Sequence, residues 1–196
     1  MKDIITKSYK DSIQTKEAFF KQNLQLIIHS AEIIADAFKA GSKLLICGNG
    51  GSAADSQHLA AEFVNRFVIE RPPLPAVALS TDASIITSIG NDYSFEQIFS
   101  KQIKAIGKEG DVLLVISTSG DSKNIIMAAK AARDMGIKTI GLTGKGGGKM
   151  AKIADILLNV DSNVTARVQE AHITAGHIIC ELVDNILFQA MGKDVE

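Results

Sequence analysis

The chain has 196 residues, of which 46% are hydrophobic and 22% charged, and its formal net charge is −1. This length and composition predict a single globular domain over residues 1–196. The balanced charge gives no electrostatic support for nucleic-acid binding. No apolar run approaches the roughly 20 residues of a membrane span, and the first residues lack the apolar core of a signal peptide. We therefore expect a cytoplasmic protein with no nucleic-acid and no membrane partner.

A long helix is the first predicted element. Apolar residues in steps of four and three predict a helix over residues 5–40, and Gly41 follows it, where a C-terminal glycine is typical. The apolar seam of this helix comprises Phe20, Leu24, Ile27, Ala31, Ile34 and Phe38.

Short apolar runs alternate with helical patterns along the rest of the chain. The predicted strands are residues 43–47, 76–79, 112–116, 138–142 and 156–160. The predicted helices are residues 52–66, 83–106 with a break near Gly90-Asn91-Asp92, 122–135 and 164–192. Residues 71–75 contain all three prolines and form a connection, and we assign no role to Gly144–Gly148. Apolar strands that alternate with helices predict a three-layer α/β/α sandwich around about five parallel strands.

The last helix carries a second apolar seam with the same spacing. Its members are Val168, His172, Ala175, Ile179, Leu182 and Ile186. Such seams are typical of helix-on-helix packing. Either each long terminal helix lies on the sheet of its own chain, or the two helices pack between subunits. We favour the second interpretation, with residues 1–40 used in oligomer packing. The two cysteines, Cys47 and Cys180, lie in apolar stretches, and we expect buried thiols rather than a disulfide.

Two loops follow predicted strands, at the edge where parallel sheets bind ligands. Gly48–Ser52 offers backbone N–H groups at a helix start, with Ser52 as the N-cap. Ser117–Ser122 offers hydroxyl donors at the start of another helix. Either loop alone could be an ordinary strand-to-helix turn, but the two together favour an anionic ligand, and the hydroxyl loop is the stronger phosphate site. Neither is a Walker A loop, and Ala53 replaces the third glycine of a dinucleotide fingerprint.

A histidine and a carboxylate follow the glycine loop on one helix face. His58 and Glu62 are four residues apart, so their Cβ atoms lie about 5–6 Å from each other. Imidazole and carboxylate together suit Zn²⁺ or a similar divalent ion. In the alternative interpretation, His58 caps a helix surface and Glu62 is solvated.

A second polar group lies in the last helix, where Gln169 and His177 are off the apolar seam and His172 is on it. Gln169 and His177 are separated by about 12 Å of helix rise and about 80° around the axis. Both could reach one ion if the chain bends near Gly176, if Gln169 lies at an irregular helix start, or if different subunits supply them. The sequence leaves these three possibilities open.

The order of these motifs resembles the phosphoheptose isomerases of the sugar isomerase (SIS) superfamily. The matching segments are Gly-Asn-Gly-Gly-Ser, His58-x-x-x-Glu62, Gly90-Asn91-Asp92, Ser-Thr-Ser-Gly-Asp-Ser and Gln169-Glu-x-His-x-x-x-x-His177. The resemblance covers nearly the whole chain and implies a flavodoxin-like SIS domain. The phosphate loops are common to SIS domains, whereas the set of metal and acid–base residues is much more specific.

The resemblance implies the isomerisation of D-sedoheptulose 7-phosphate to D-glycero-D-manno-heptose 7-phosphate for bacterial surface polysaccharide, either lipopolysaccharide or capsule. It also implies a homotetramer with one Zn²⁺ per subunit, and Glu62 and His177 as the catalytic base and acid. The implied metal ligands are His58, Glu62, Gln169 and His177. The implied substrate contacts are Asn49, Gly50, Gly51, Ser52, Glu62, Asn91, Asp92, Ser117, Thr118, Ser119, Ser122 and Gln169.

Two non-enzymatic groups of the superfamily compete with this interpretation. Asn65-Arg66-Phe67 and Glu70-Arg71-Pro72 also resemble a sister group of adaptors that bind the bacterial replication initiator protein. Sugar-phosphate-sensing regulators carry an attached DNA-binding segment, and we find none in this sequence. Because Glu62 and His177 are both present, we favour the enzyme.

Overall fold

The computed structural model describes residues 1–189, and they form alternating helices and strands. The strands are β1 (Leu44–Gly48), β2 (Ala76–Ala78), β3 (Val112–Ser117), β4 (Lys138–Gly144) and β5 (Ile156–Val160). The α-helices are α1 (Lys2–Lys39), α2 (Gly51–Val64), α3 (Ala83–Asp92), α4 (Ile98–Ile106), α5 (Lys123–Asp134) and α6 (Thr165–Asp184). Short 3₁₀ segments cover Phe95–Gln97 and Lys145–Lys152, and a π-helical turn covers Asn185–Gln189.

The five strands form one parallel sheet in the order β2-β1-β3-β4-β5. This order is the flavodoxin-like arrangement, in which the chain reverses its direction of winding between β1 and β3. Gly48 at the end of β1 pairs with Ile116 in β3, so the loops that follow these two strands are neighbours. The predicted sandwich is confirmed, and its topology brings both candidate phosphate loops to one place.

Each central strand contributes alternate side chains to two hydrophobic layers. Leu44 and Ile46 of β1 face the layer that includes residues of α1, α2 and α6. Leu45 and Cys47 face the layer that includes residues of α4 and α5. Both cysteines are free and buried, as predicted. Cys180 belongs to the first layer and Cys47 to the second, so the two sulfurs lie on opposite faces of the sheet.

The seams of α1 and α6 are used within the chain. Ile27, Ala31 and Ile34 of α1 are buried together with Val168 and Ile179 of α6. The prediction for Leu24 is wrong, because its side chain is 54% exposed and Phe19 and Asn23 are buried on that side instead. The seams therefore form part of the chain's own core, and their use between subunits stays a prediction. In the described residues no helix, α1 included, is long and apolar enough to cross a membrane.

Several element boundaries differ from the prediction. The helical break falls after Asp92, at Tyr93-Ser94, so Gly90-Asn91-Asp92 still belongs to α3. β4 extends to Gly144, two residues beyond its predicted end, because its last residues still pair with β5. The helix predicted over residues 164–192 is observed as α6 followed by the π turn, and residues 190–192 lie outside the described residues.

His172 lies in the core of α6, as its seam position predicts, and is fully buried. Its Nε2 donates to the carbonyl oxygen of Thr143 at 3.0 Å. Burial lowers the pKa of His172 to about 4, and the bond to Thr143 opposes this only in part. The folded chain therefore keeps this imidazole neutral at pH values where the unfolded chain protonates it.

We expect this buried histidine to destabilise the fold in mild acid. The unfolded chain takes up a proton at His172 below about pH 6.5 and the folded chain only near pH 4, so stability falls as the pH decreases across that window. The slope from this residue reaches about 1.4 kcal/mol per pH unit. Urea unfolding at several pH values measures it. His172→Gln should flatten the dependence, and an equal slope in both proteins would contradict the assignment.

Candidate active site

The glycine turn after β1 begins α2 without a side-chain cap. Gly50 is the N-cap residue and has φ 57°, a conformation that favours glycine. Its carbonyl accepts from the N–H groups of Ala53 and Ala54. The prediction of Ser52 as the N-cap is wrong: the N-cap is two residues earlier, and Ser52 is buried in the first turn of the helix. Because glycine adopts a positive φ without strain, Gly50 forms the turn by which the chain enters α2.

The hydroxyl-rich loop after β3 lies beside this turn. Ser117 Oγ accepts from the N–H of Gly120 at 3.2 Å and lies 3.5 Å from the hydroxyl of Ser122. Reciprocal side-chain bonds of 2.9 and 2.8 Å join Asn49 of the glycine turn to Asn124 of α5. The two loops are thus tied together at the sheet edge where parallel strands place ligands.

A small polar cavity of about 70 Å³ opens between the two loops. It has room for a phosphate-sized group beside serine and threonine hydroxyls at the starts of α2 and α5, a typical anion environment. The side chain of Gln169 reaches this cavity from α6, and a Cβ atom on Gly51 would lie 2.5 Å from its amide nitrogen. The residues that line the cavity are Asn49, Ser52, Ile116, Ser117, Thr118, Ser122 and Gln169.

Three predicted substrate contacts lie near this cavity without lining it. Gly50 and Gly51 form the turn below it, and Ser119 accepts from the N–H of Asp121 in the hydroxyl loop. Asn91 and Asp92 lie apart from it, at the exposed end of α3, where the Asn91 amide donates to the Asp92 carboxylate at 2.9 Å. Their role in binding substrate stays a prediction.

The glycine segment 144–148 supports the hydroxyl loop, a role that the sequence analysis did not assign. Gly146, Gly147 and Gly148 all have positive φ. A Cβ atom on Gly148 would lie 2.6 Å from the carbonyl oxygen of Ser119, and one on Gly120 would lie 2.0 Å from that of Gly147. The run of glycines therefore lets two backbones contact each other directly beneath the predicted phosphate site.

His58, Glu62 and His177 come together on α2 and α6, the two helices whose residues Ser52 and Gln169 line the cavity. The Nε2 atoms of His58 and His177 are 2.8 Å apart, and His58 Nε2 is 3.4 Å from a carboxylate oxygen of Glu62. A gap of 2.8 Å between two imidazole nitrogens requires one of them to donate and the other to accept. His58 and Glu62 lie on one face of α2, as the sequence predicted. His177 lies on α6, 119 positions after His58.

Asp55 and Phe67 complete the surroundings of the two histidines. Burial raises the pKa of the Asp55 carboxyl, while the nearby His58 and His177 partly lower it, and Asp55 Oδ2 is buried without a hydrogen-bond partner. The Phe67 ring stacks on His177 at a centroid distance of 5.4 Å. Neither residue was predicted from the sequence as part of the site. Asp55 precedes His58 by three residues, and that helical spacing was the available signal.

Gln169 and His177 lie within the same regular helix, so Gln169 is not at an irregular helix start. Gln169 contacts the glycine turn, whereas His177 contacts His58. Over residues 1–189, no group of three or more histidine, cysteine, aspartate or glutamate side chains is arranged to hold a metal ion directly. The donor types at His58, Glu62 and His177 nevertheless suit Zn²⁺. Binding of one ion by all four predicted ligands stays a prediction.

Comparisons with known proteins show which family the chain belongs to. The family model of the SIS domain matches residues 8–144, more than half of the chain. A phosphoheptose isomerase of Nitratidesulfovibrio vulgaris strain Hildenborough is 56% identical over 186 residues, which are 95% of this chain and 89% of that protein. The phosphoheptose isomerase of Clostridium acetobutylicum is 53% identical and is covered to 97% of its length, with 96% of this chain aligned.

Solved structures show the same similarity. The phosphoheptose isomerase of Neisseria gonorrhoeae superimposes with a TM-score of 0.89 at 44% identity, over 94% of this chain and 98% of that one. The enzyme of Francisella tularensis gives a TM-score of 0.90 at 42% identity, over 93% and 97% of the two chains. On these matches, the chain belongs to the phosphoheptose isomerase family of SIS-domain proteins.

Proposed function

We propose that the chain isomerises D-sedoheptulose 7-phosphate to D-glycero-D-manno-heptose 7-phosphate through an enediol. The observation that carries this proposal is the cluster of His58, Glu62 and His177, which lies on the same two helices, α2 and α6, as the cavity residues Ser52 and Gln169. An aldose–ketose isomerase requires a proton acceptor for carbon, a proton carrier for oxygen, and an anchor for the phosphate. This arrangement offers all three.

Glu62 is suited to move the proton between the two carbons. Its carboxylate takes a proton from C1 of the ketose and returns it to C2, which leaves the aldose. The side chain is 20% exposed, so a substrate can reach it while most of it is shielded from water. His177 transfers the accompanying oxygen protons, since an imidazole donates and accepts near neutral pH. The 2.8 Å contact with His58 and the stacked Phe67 ring hold His177 in place.

The donor set supports a zinc ion, one per subunit. His58, Glu62 and His177 would hold it, with Gln169 as the fourth ligand, because imidazole nitrogen and carboxylate oxygen are donors that Zn²⁺ favours. When bound, a divalent ion supplies Lewis-acid stabilisation of the negative charge on the enediolate oxygens. Asp55 lies close enough to interact electrostatically with both imidazoles, and it is suited to orient them.

The hydroxyl loop is suited to hold the phosphate. Ser117, Thr118 and Ser122 line the cavity with hydroxyl groups, which donate to phosphate oxygens without an arginine. We further propose a cytoplasmic homotetramer that supplies heptose for lipopolysaccharide or capsule. Exposed apolar side chains in the first turns of α1 support the assembly, since Ile4, Ile5 and Ile13 are 69%, 66% and 47% exposed.

A direct assay tests the function. The purified chain is incubated with D-sedoheptulose 7-phosphate, with and without a chelator, and the aldose product is measured. We expect turnover that the chelator abolishes and added Zn²⁺ restores. Absence of turnover in the zinc-loaded protein, together with tight binding to a replication initiator protein, would instead favour the adaptor interpretation.

A further inference from the structure

Arg71 is a buried arginine in the connection between α2 and β2, outside the cluster of His58, Glu62 and His177. Its side chain is 1% exposed, and its Nε donates to Asp184 Oδ1 at 2.8 Å. The same guanidinium donates to the carbonyl oxygens of Glu62 at 2.9 Å and Phe63 at 2.6 Å. A single buried cation thus binds the last turn of α2 and the end of α6 together.

These bonds provide hydrogen-bond partners for carbonyl groups at the C-terminus of α2. The last carbonyls of a helix have no partner within the helix, and a cation there also interacts favourably with the helix dipole. α2 has no basic residue in its own last turn, so Arg71 supplies this charge from outside the helix. One of the carbonyls that it binds belongs to Glu62 itself, whose carboxylate is the proposed base.

The contact on α6 lies on the face that carries His177. Asp184 follows His177 by seven residues, about two turns, so the two side chains project from nearly the same side of α6. Cys180 lies between them on α6. Burial raises the pKa of its thiol, the charges of Glu62 and Asp184 raise this pKa further, and the charge of Arg71 lowers it. These charged groups are therefore close enough to affect one buried thiol, one turn along α6 from His177.

The two helices also touch at a second point closer to the histidines. A Cβ atom on Gly176 would lie 2.7 Å from the Leu59 side chain, so α2 and α6 approach closely beside His58 and His177. Close approach at Gly176 fixes the distance between the helices there. The relative tilt and rotation of α2 and α6 must be fixed by a second contact further along the helices. The ion pair of Arg71 with Asp184 provides that contact.

We propose that Arg71 is a positioning residue for the isomerase reaction: by joining the end of α2 to α6 through Asp184, it sets the placement of Glu62 relative to His177. This inference rests on the function proposed above. Displacement of a catalytic group by about 1 Å costs rate by as much as a hundredfold, whereas binding of a distant part of the substrate is unaffected. The cavity hydroxyls of Ser117, Thr118 and Ser122 belong to β3 and the loop before α5, which Arg71 does not contact. Ser52 and Gln169 lie near the opposite ends of α2 and α6 from the contacts of Arg71, so phosphate binding should depend on it little.

The test compares Arg71→Met with a matched control, Lys43→Met. Among the described residues, Lys43 forms another ion pair with a fully buried carboxylate, 2.6 Å from Asp111, at the amino ends of β1 and β3 and away from the loops of the site. Three quantities are measured on folded protein: kcat and KM for D-sedoheptulose 7-phosphate, inhibition by inorganic phosphate, and Zn²⁺ affinity by competition with a chromophoric chelator. For Arg71→Met we expect kcat to fall at least about tenfold and Zn²⁺ affinity to fall, with phosphate inhibition within about twofold of wild type. Lys43→Met should keep all three within about twofold despite a comparable fall in Tm.

Two additional variants keep the outcome decisive. Arg71→Lys retains the charge but cannot bind Asp184 and two carbonyls with the same geometry, so its kcat should lie between those of wild type and Arg71→Met. If Arg71→Met does not fold, Asp184→Asn serves instead, with an expected fall in kcat of at least about fivefold. Folded variants with wild-type kcat and wild-type Zn²⁺ affinity would overturn the proposal. A wild-type protein without turnover would count against the proposed function, and the Zn²⁺ affinities would still test Arg71.

Discussion

Replacement of Glu62 by glutamine is expected to lower kcat by a factor of about 10³ or more while the chain stays folded. The amide has nearly the shape of the carboxylate but cannot accept a proton from carbon, and general base catalysis contributes about 10² to 10⁴ to a rate. Glu62 lies near the end of α2 and is 20% exposed, so the substitution leaves the core unchanged. Exchange of the C1 hydrogen of D-sedoheptulose 7-phosphate with solvent deuterium, followed by NMR, reports the proton transfer directly.

Glu70→Gln is the matched control for this substitution. Glu70 pairs with Arg66 at 3.5 Å on the surface, and its side chain is 89% exposed. Exposed ion pairs contribute little to stability, so this variant should keep wild-type kcat and wild-type C1 exchange. A Glu62→Gln protein that exchanges C1 hydrogen within about tenfold of the wild-type rate would exclude Glu62 as the base.

The fold was accessible to prediction because its signals are local. Strands such as Val112–Ile116 are apolar at every position, and glycine follows several helices, so a parallel sheet between two layers could be inferred from patterns alone. Element ends were harder, since backbone geometry decides them. Gly50 at φ 57° begins α2 where Ser52 was expected, and Gly90 does not interrupt α3 although a break was predicted there.

The candidate site shows the same division between local and non-local information. His58 and Glu62 could be paired from their spacing on one helix, and Asp55 could have been added by the same rule. The contact of His58 with His177 spans 119 positions, and it depends on how closely α6 approaches α2 at Gly176. No periodic pattern in the sequence indicates that α6 approaches α2 closely at this point. The contact of Gln169 with Gly51 is likewise visible only after the helix and the glycine turn are packed together.

Replacement of His177 by glutamine is expected to lower kcat by about 10² to 10³, because the residue would lose its ability to carry protons between the substrate oxygens. The expected loss has a second cause, since one of the proposed zinc donors is also removed. Replacement of His58, whose Nε2 lies 2.8 Å from that of His177, should remove a zinc donor without removing the acid. The metal content and kcat of both variants are measured at increasing Zn²⁺ concentrations.

The two variants should respond differently to excess metal. His58→Gln is expected to recover most of its activity once the weakened zinc site is saturated, since Glu62 and His177 remain. His177→Gln should stay impaired when fully loaded, because occupancy does not replace a proton carrier. His29→Gln serves as the control, since His29 lies on the exposed surface of α1 and pairs only with Glu32 among the described contacts. Full recovery of His177→Gln by Zn²⁺ would make His177 a metal ligand without an acid role, and the transfer of the oxygen protons would then have to be assigned to another group, with Asp55 beside both imidazoles as the nearest candidate.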